Sequence, residues 1–210
     1  MNTTGAIILA GGQSQRMGRD KALLPWPAEP GQPTFVERLV SLLSSQCAEV
    51  ALVGRDAEHV ARLKAALGEQ ERSVQVVADR VPGRGPLMGI YSGLCLLQAS
   101  RALVCAVDMP FVLPEMVAFL LACGSDDTLC VPLVDDVPQI LLAVYPRTLI
   151  GAIEERLRAG RRDPRSLLQV APVSYITEAR LCAIDPQLRS FININTPQEL
   201  ASHRQNKQHH

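Results

Sequence analysis

Ala6-Ile7-Ile8-Leu9-Ala10-Gly11-Gly12, running on through the polar stretch Gln13 to Lys21, is the segment from which the fold can be read. Its apolar run has the length of a buried strand, and the paired glycines let the backbone approach a ligand that a Cβ would exclude. Backbone N–H groups in such a loop can face an anion, while Arg16 and Lys21 add full positive charges. The segment therefore reads as a strand followed by a phosphate-holding loop. Two common forms of that loop are excluded by spacing. A Walker A loop needs Gly-Lys-Ser/Thr, whereas Lys21 follows Asp20 and precedes Ala22; Gly11-Gly12-Gln13 does not supply the Gly-x-Gly-x-x-Gly of a dinucleotide loop.

Strand-like and helix-like segments alternate outward from this loop. Short apolar runs from Val50 to Val53, Val74 to Ala78 and Ala102 to Val107 read as strands. Thr34 to Gln46, Ala57 to Leu67 and Leu87 to Gln98 read as helices, the first two with apolar residues three and four apart. This alternation predicts an α/β protein whose parallel sheet is covered on both faces. The second half is less regular: strands are expected at Leu129 to Leu133, Ile140 to Val144 and Phe191 to Asn195, and a helix at Leu149 to Ala159. Thr196 is expected to cap a following helix with Pro197 as its first residue.

The bulk properties narrow the function classes. With Lys+Arg and Asp+Glu both at 21, no net charge recruits nucleic acid or an anionic membrane, so the expected partner is small and local. No apolar run approaches the roughly 20 residues of a membrane span, and the N-terminus lacks a signal-peptide pattern. Six cysteines include no C-x-x-C pair, and several lie in apolar runs where a thiol acts as a small hydrophobe. A reduced, cytoplasmic location is expected.

Several residues could carry chemistry. Asp108 follows the run Ala102 to Val107, and in parallel α/β sheets ligands bind outside the carboxyl ends of strands. It is either a Mg2+ ligand beside bound phosphates or a cap on the next helix. Gly83-Arg84-Gly85-Pro86-Leu87-Met88-Gly89 opens a helix after the Val74 strand. With Asp108 downstream it approximates a nicotinamide-dinucleotide fingerprint, but its glycine spacing is one residue too long and it leaves Leu9 to Lys21 unexplained. Asp79 ends the strand before it. Asn193 and Asn195 would share one strand face, either at a solvent edge or in a site. Arg156, Arg158, Arg161, Arg162 and Arg165 stand against one acid, Asp163, forming either a solvated face or a dock for an anion. Ser14 has no histidine nearby in sequence, and the four histidines form no evident site.

The run LAGGQSQRMGRDK, Leu9 to Lys21, resembles the nucleotide-binding loop L-A-G/A-G-x-S-x-R-M-G-x-D-K of the nucleotidyltransferases that activate sugar phosphates and pterin phosphates, with every fixed position filled. Val107-Asp108-Met109-Pro110, Gly85-Pro86-Leu87-Met88-Gly89 and Phe191-Ile192-Asn193-Ile194-Asn195-Thr196-Pro197 resemble further family segments. The resemblance runs from Ala6 to about Leu200 and is loose between Thr128 and Ala183. It is strongest to the molybdenum cofactor guanylyltransferases within this family. The family position at the end of the second strand, often Asn, falls here near Val53 and Gly54 and departs from the pattern.

This resemblance implies a Rossmann-like three-layer αβα nucleotidyltransferase fold with a mostly parallel central sheet, a single domain over residues 1–203 and a polar tail over 204–210. It implies transfer of GMP from Mg-GTP to the terminal phosphate of molybdopterin, with Mg2+ as cofactor. Arg16, Lys21 and Asp108 would be catalytic, Asp108 also holding the metal. Leu9, Ala10, Gly11, Gly12, Asp79, Gly85, Pro86, Leu87 and Gly89 would join Lys21 and Asp108 in binding the nucleotide; Asn193, Asn195, Arg161 and Arg162 are candidates for the second substrate. Expected partners are GTP, molybdopterin and, transiently, enzymes that insert or accept the cofactor; a monomer is favoured. The alternatives are a sugar-phosphate nucleotidyltransferase, a molybdopterin cytidylyltransferase, or a non-catalytic nucleotide or cofactor carrier. CTP-specific relatives typically have alanine as the first glycine of the loop, so Gly11 correlates with GTP.

Overall fold

Side chains alternate faces along a strand, so a strand apolar at every position must be covered on both sides. That requirement shapes the protein, of which a computed structural model describes residues 4–12, 19–26, 31–196 and 198–199. In β1, Thr4–Leu9, Ile7 points into one core and Ala6 and Ile8 into the other. All three are fully buried. Each isoleucine contributes about 1.5–3 kcal/mol relative to an exposed one.

The first core is closed by α1, Phe35–Ser44, by α2, Ala57–Leu67, and by α4, Pro114–Ala122. The second is closed by α3, Pro86–Leu96, and α5, Ile150–Arg158. The result is three layers, helices on either face of one sheet. Local chemistry starts each helix. Thr34 and Glu37 form a reciprocal capping box at α1, and Asp56 accepts from His59 N–H at α2. The α3 start has no side-chain cap; the carbonyl of Arg162 accepts from Leu87 N–H instead, at 3.1 Å.

The sheet has eight strands among the described residues. Besides β1 these are β2, Glu49–Gly54; β3, Gln75–Ala78; β4, Arg101–Ala106; β5, Leu129–Val134; β6, Val137–Pro138; β7, Leu142–Pro146; and β8, Val173–Ile176. Their order is β3-β2-β1-β4-β7-β5-β6, with β8 pairing β5. The first four strands and the β5–β8 pair are parallel, whereas β7 runs antiparallel to both β4 and β5. The connections from β1 through β2 to β3 proceed in one direction, and the chain then crosses back to place β4 on the other side of β1. The order therefore reverses between β1 and β4, the kind of crevice where open α/β sheets bind ligands.

The expectation of a strand over Phe191 to Asn195 is corrected. A 3-10 turn spans Arg189–Phe191, and an unpaired extended segment follows. It is held by Ile194 N–H donating to the carbonyl of Asp108, so it crosses the end of β4 rather than adding to the sheet. The six cysteines form no disulfide, four of them are buried, and burial raises the thiol of Cys47 to about 11. No helix among the described residues is long and apolar enough to cross a membrane. The tail over 204–210 lies outside the described residues.

Gly93 lets α3 approach β1: a Cβ there would stand 2.6 Å from Ile7 Cγ2 and 2.8 Å from its Cγ1, both close to the backbone of a central strand. Gly93→Ala should destabilise the protein by about 1 kcal/mol or more in urea titration, overpacking outweighing the better helix propensity. Gly151→Ala, on α5 with no atom within 4 Å of the added Cβ, should instead stabilise it by about 0.5–1 kcal/mol.

Candidate active site

The carboxyl ends of β1, β2, β3 and β4 open onto a cleft of about 350 Å³. Its walls are held by backbone bonds that carry the ladder past the last strand residue: Ala10 N–H donates to Val53, Asp79 N–H to Gly54, and Val107 N–H to Leu9, at 2.9, 2.8 and 3.1 Å. These bonds place Ala10 to Gly12, Asp79 and Asp108 on one rim.

Lys21 stands in a single 3-10 turn, Lys21–Leu23, capped by Asp20, whose Oδ1 accepts from Ala22 N–H. Its ammonium lies 3.0 Å from Asp108 Oδ2 and 2.8 Å from Asn195 Oδ1. Three distant parts of the sequence thus meet at one cation. Asp108 caps no helix, because α4 begins at Pro114 with Leu113 before it. Its carboxylate instead faces the cleft, with its side chain 22% exposed.

Opposite lies Asp79. Burial pushes its carboxyl up to about 6, partly offset by the hydroxyl of Ser92, which lies 3.4 Å from Oδ1. A Cβ on Gly11 would come within 3.3 Å of Asp79 Oδ2, and one on Gly89 within 2.9 Å of Leu9. The third wall is Gly85-Pro86. Gly85 has φ of 79°, and a Cβ on it would meet the Arg162 carbonyl at 3.0 Å, so glycine is required both by conformation and by space.

A hard cation with one carboxylate and substrate phosphates fits this donor set. No cluster of three or more His, Cys, Asp or Glu exists among the described residues. Mg2+ does not need one, since it keeps waters and takes one or two carboxylates beside phosphate oxygens. Of the cleft carboxylates Asp20, Asp79 and Asp108, Asp108 at the end of β4 could offer such an oxygen.

Residues 6–178 match the family model described as the MobA-like NTP transferase domain. The chain belongs to the MobA-like NTP transferase family. It is 36% identical over 204 residues to a probable molybdenum cofactor guanylyltransferase of Pelotomaculum thermopropionicum, covering 97% of this chain and 93% of that protein. A protein of the same description from Chloroflexus aggregans is also 36% identical, over 92% of this chain and 90% of its own length. In structure the chain is similar to molybdopterin-guanine dinucleotide biosynthesis protein A from Archaeoglobus fulgidus, with a TM-score of 0.80, 26% identity, and 97% and 98% of the two chains covered. A member of the MobA-like family is a nucleotidyltransferase, and the three-layer α/β fold expected from sequence agrees with this neighbour.

Most residues expected at the nucleotide site meet at the cleft. Leu9, Ala10, Gly11, Gly12 and Lys21 line it from the first loop; Asp79, Gly85, Pro86, Gly89 and Asp108 line it from the others. Leu87 does not. It is wholly buried in the core beneath α3, and its backbone N–H is spent on the carbonyl of Arg162. Arg16 lies outside the described residues. Asn195 reaches Lys21, whereas Asn193 lines an adjoining groove with Arg162, Arg165 and Gln139. Arg161 does not line that groove but a hollow beside it, which shares Arg162, Asp163 and Arg165 with the groove.

Two functional neighbours escaped the reading of the sequence, Asp20 and His59. His59 is fully buried, and its Nε2 lies 2.9 Å from Asp20 Oδ2. Burial alone would raise the Asp20 pKa, but the hydrogen bond from His59 and the positive charges beside it hold the carboxyl below its ordinary value. A single histidine beside Val60 and Leu63 on the inward face of a helix was the available signal.

Asp79 gives a pH test. Its folded pKa, about 6, exceeds its ordinary 3.8, so the folded state holds the proton more tightly and stability falls as pH rises between those values. Asp79→Asn should therefore gain on the wild type from about pH 4 to about pH 6 and keep a constant advantage above about pH 7, measured by urea midpoints.

Proposed function

We propose that the protein transfers GMP from Mg-GTP to the terminal phosphate of molybdopterin, forming the guanine dinucleotide and releasing pyrophosphate. The observation that carries this reading is the meeting of Lys21, Asp108 and Asn195 within 3.0 Å at the point where the strand order reverses, in a chain whose relatives are described as molybdenum cofactor guanylyltransferases. A cation and a carboxylate at one point of a polar cleft suit a substrate that brings both phosphates and a metal.

In this reading the glycine loop and Lys21, with Arg16, grip the triphosphate, and the ammonium exchanges Asp108 for phosphate oxygens. Asp108 would hold Mg2+, which supplies neutralisation of charge on the phosphates when bound. Asp79, Gly85, Pro86 and Gly89 take the base and ribose. Gly11 lies close against Asp79, where an added Cβ would stand 3.3 Å from that carboxylate, and the preference for GTP rests on the family correlation of this glycine. The adjoining groove, with Asn193 and Arg162, takes the acceptor, and Pro86 and Leu141 border both spaces. Guanidinium groups there match an anionic substrate.

No protein nucleophile is required. A phosphate monoester is mostly doubly ionised near neutrality, since its second pKa is about 6. One of its oxygens bonds to the α-phosphorus while the bond from that phosphorus to the bridging oxygen breaks, and pyrophosphate leaves with the electron pair. The residues of the chain align the two anions and oppose the charge that develops, the main contributions available to such a reaction.

Purified protein with molybdopterin should form the dinucleotide and pyrophosphate with Mg-GTP at least about ten-fold faster than with Mg-CTP, a preference of about 1.4 kcal/mol. Asp108→Ala should keep its fold and lose turnover by about 100-fold or more. Near-normal pyrophosphate release by that variant, or equal use of a sugar phosphate as acceptor, would overturn the assignment.

A further inference from the structure

The loop that opens the site has its two ends fastened by one short stretch outside it, from Arg55 to His59. At the leading end, an Arg55 guanidinium nitrogen donates to the carbonyl of Gly12 at 3.4 Å. At the trailing end, Asp20 Oδ2 lies 2.9 Å from His59 Nε2, 3.6 Å from the Arg55 guanidinium and 3.9 Å from that of Arg62.

The roles of the two histidine nitrogens differ. Arg55 backbone N–H donates to Nδ1 at 3.2 Å, so the ring carries its proton on Nε2, toward Asp20. Both Nε2 and Asp20 Oδ2 are shut off from solvent, and among the described residues no hydrogen bond to another group satisfies either, which leaves the 2.9 Å contact between them. Each is therefore costly to leave without the other. Asp20 then spends its second oxygen on the turn that carries Lys21, accepting from Ala22 N–H at 3.3 Å.

The room for this ring comes from the missing side chain of Gly54. A Cβ at position 54 would come within 3.3 Å of His59 Nδ1, 3.0 Å of Val60 and 3.2 Å of Leu63. Glycine at position 54 thus admits the first turn of α2 against the end of β2.

We infer that His59 and Arg55 are positioning residues for the triphosphate: they set the separation of the loop's ends and, through Asp20, the direction in which Lys21 points. Neither borders the cleft itself. This inference rests on the reading of the cleft as a nucleoside triphosphate site, and the test separates the two.

Binding of Mg-GTP and of inorganic Mg-tripolyphosphate is measured by calorimetry for the wild type, His59→Leu, His59→Gln and Arg55→Ala, with melting temperatures alongside. His59→Leu should weaken both ligands by about ten-fold or more, the scale of a lost buried hydrogen bond to a charge. His59→Gln, which keeps an N–H near the ε position, should recover most of that loss. Arg55→Ala should weaken both ligands several-fold, and in steady-state assays the KM for GTP should rise in His59→Leu and Arg55→Ala while kcat and the acceptor KM stay within about two-fold. A folded His59→Leu protein that binds both ligands as the wild type does would overturn the inference and leave the proposed function standing. Should His59→Leu fail to fold, unchanged tripolyphosphate binding by Arg55→Ala overturns it. Wild-type protein that binds tripolyphosphate but not GTP would remove the proposed substrate and leave the inference intact.

Discussion

One ammonium group ties this site together. Lys21 Nζ is shared between Asp108 Oδ2 and Asn195 Oδ1, residues from the loop after β4 and from the segment that crosses it near the end of the chain. With Lys21 only 13% exposed and Asp108 22%, the pair is shielded enough for its attraction to exceed that of a surface salt bridge. A cation in such a place cannot be left alone, and the surrounding structure reflects that. Asp20 holds the turn, His59 and Arg55 hold Asp20, and the Asp108 carbonyl anchors Ile194 so that Asn195 arrives at the right point.

The sheet order explains why these parts can meet. Four parallel strands end on one rim, and the reversal between β1 and β4 leaves a crevice between their following loops. The antiparallel β7 then closes the far side of β4, and Leu141, just before it, borders both the cleft and the adjoining groove. Two spaces with one shared border suit two substrates that must exchange a group. The first space is walled by glycines and carboxylates, and the second carries two guanidinium groups, two amides and the Asp163 carboxylate.

The first half of the fold was legible because its strands are short and apolar and the first two helices between them have clear periodicity. Buried parallel strands leave no other use for such runs. The loop Leu9 to Lys21 and Asp108 were legible for a related reason: both sit where a strand stops and polar residues begin. The direction of β7 was not, since a two-residue pairing at β6 and a tight return at Asp135 and Asp136 leave little periodicity to read. Alternation in Phe191 to Asn195 imitates a strand, yet among the described residues the segment pairs with no strand and Ile194 bonds to Asp108 instead. Leu87 belongs to a family segment but is claimed by the core, because the side chain one residue into α3 points at β1 and not at the cleft. His59 was hidden by its burial: an inward histidine resembles any other core residue until its partner, nearly 40 residues earlier, is known to lie beside it.

In the proposed reaction Asp108 and the triphosphate would share a metal ion once Lys21 has turned to the phosphates. GTP affinity measured by calorimetry with Mg2+ and with EDTA, in the wild type and in Asp108→Asn, tests this directly. Mg2+ should tighten GTP binding by about ten-fold or more in the wild type and by less than about two-fold in the variant. An equal dependence on Mg2+ in both proteins would contradict it.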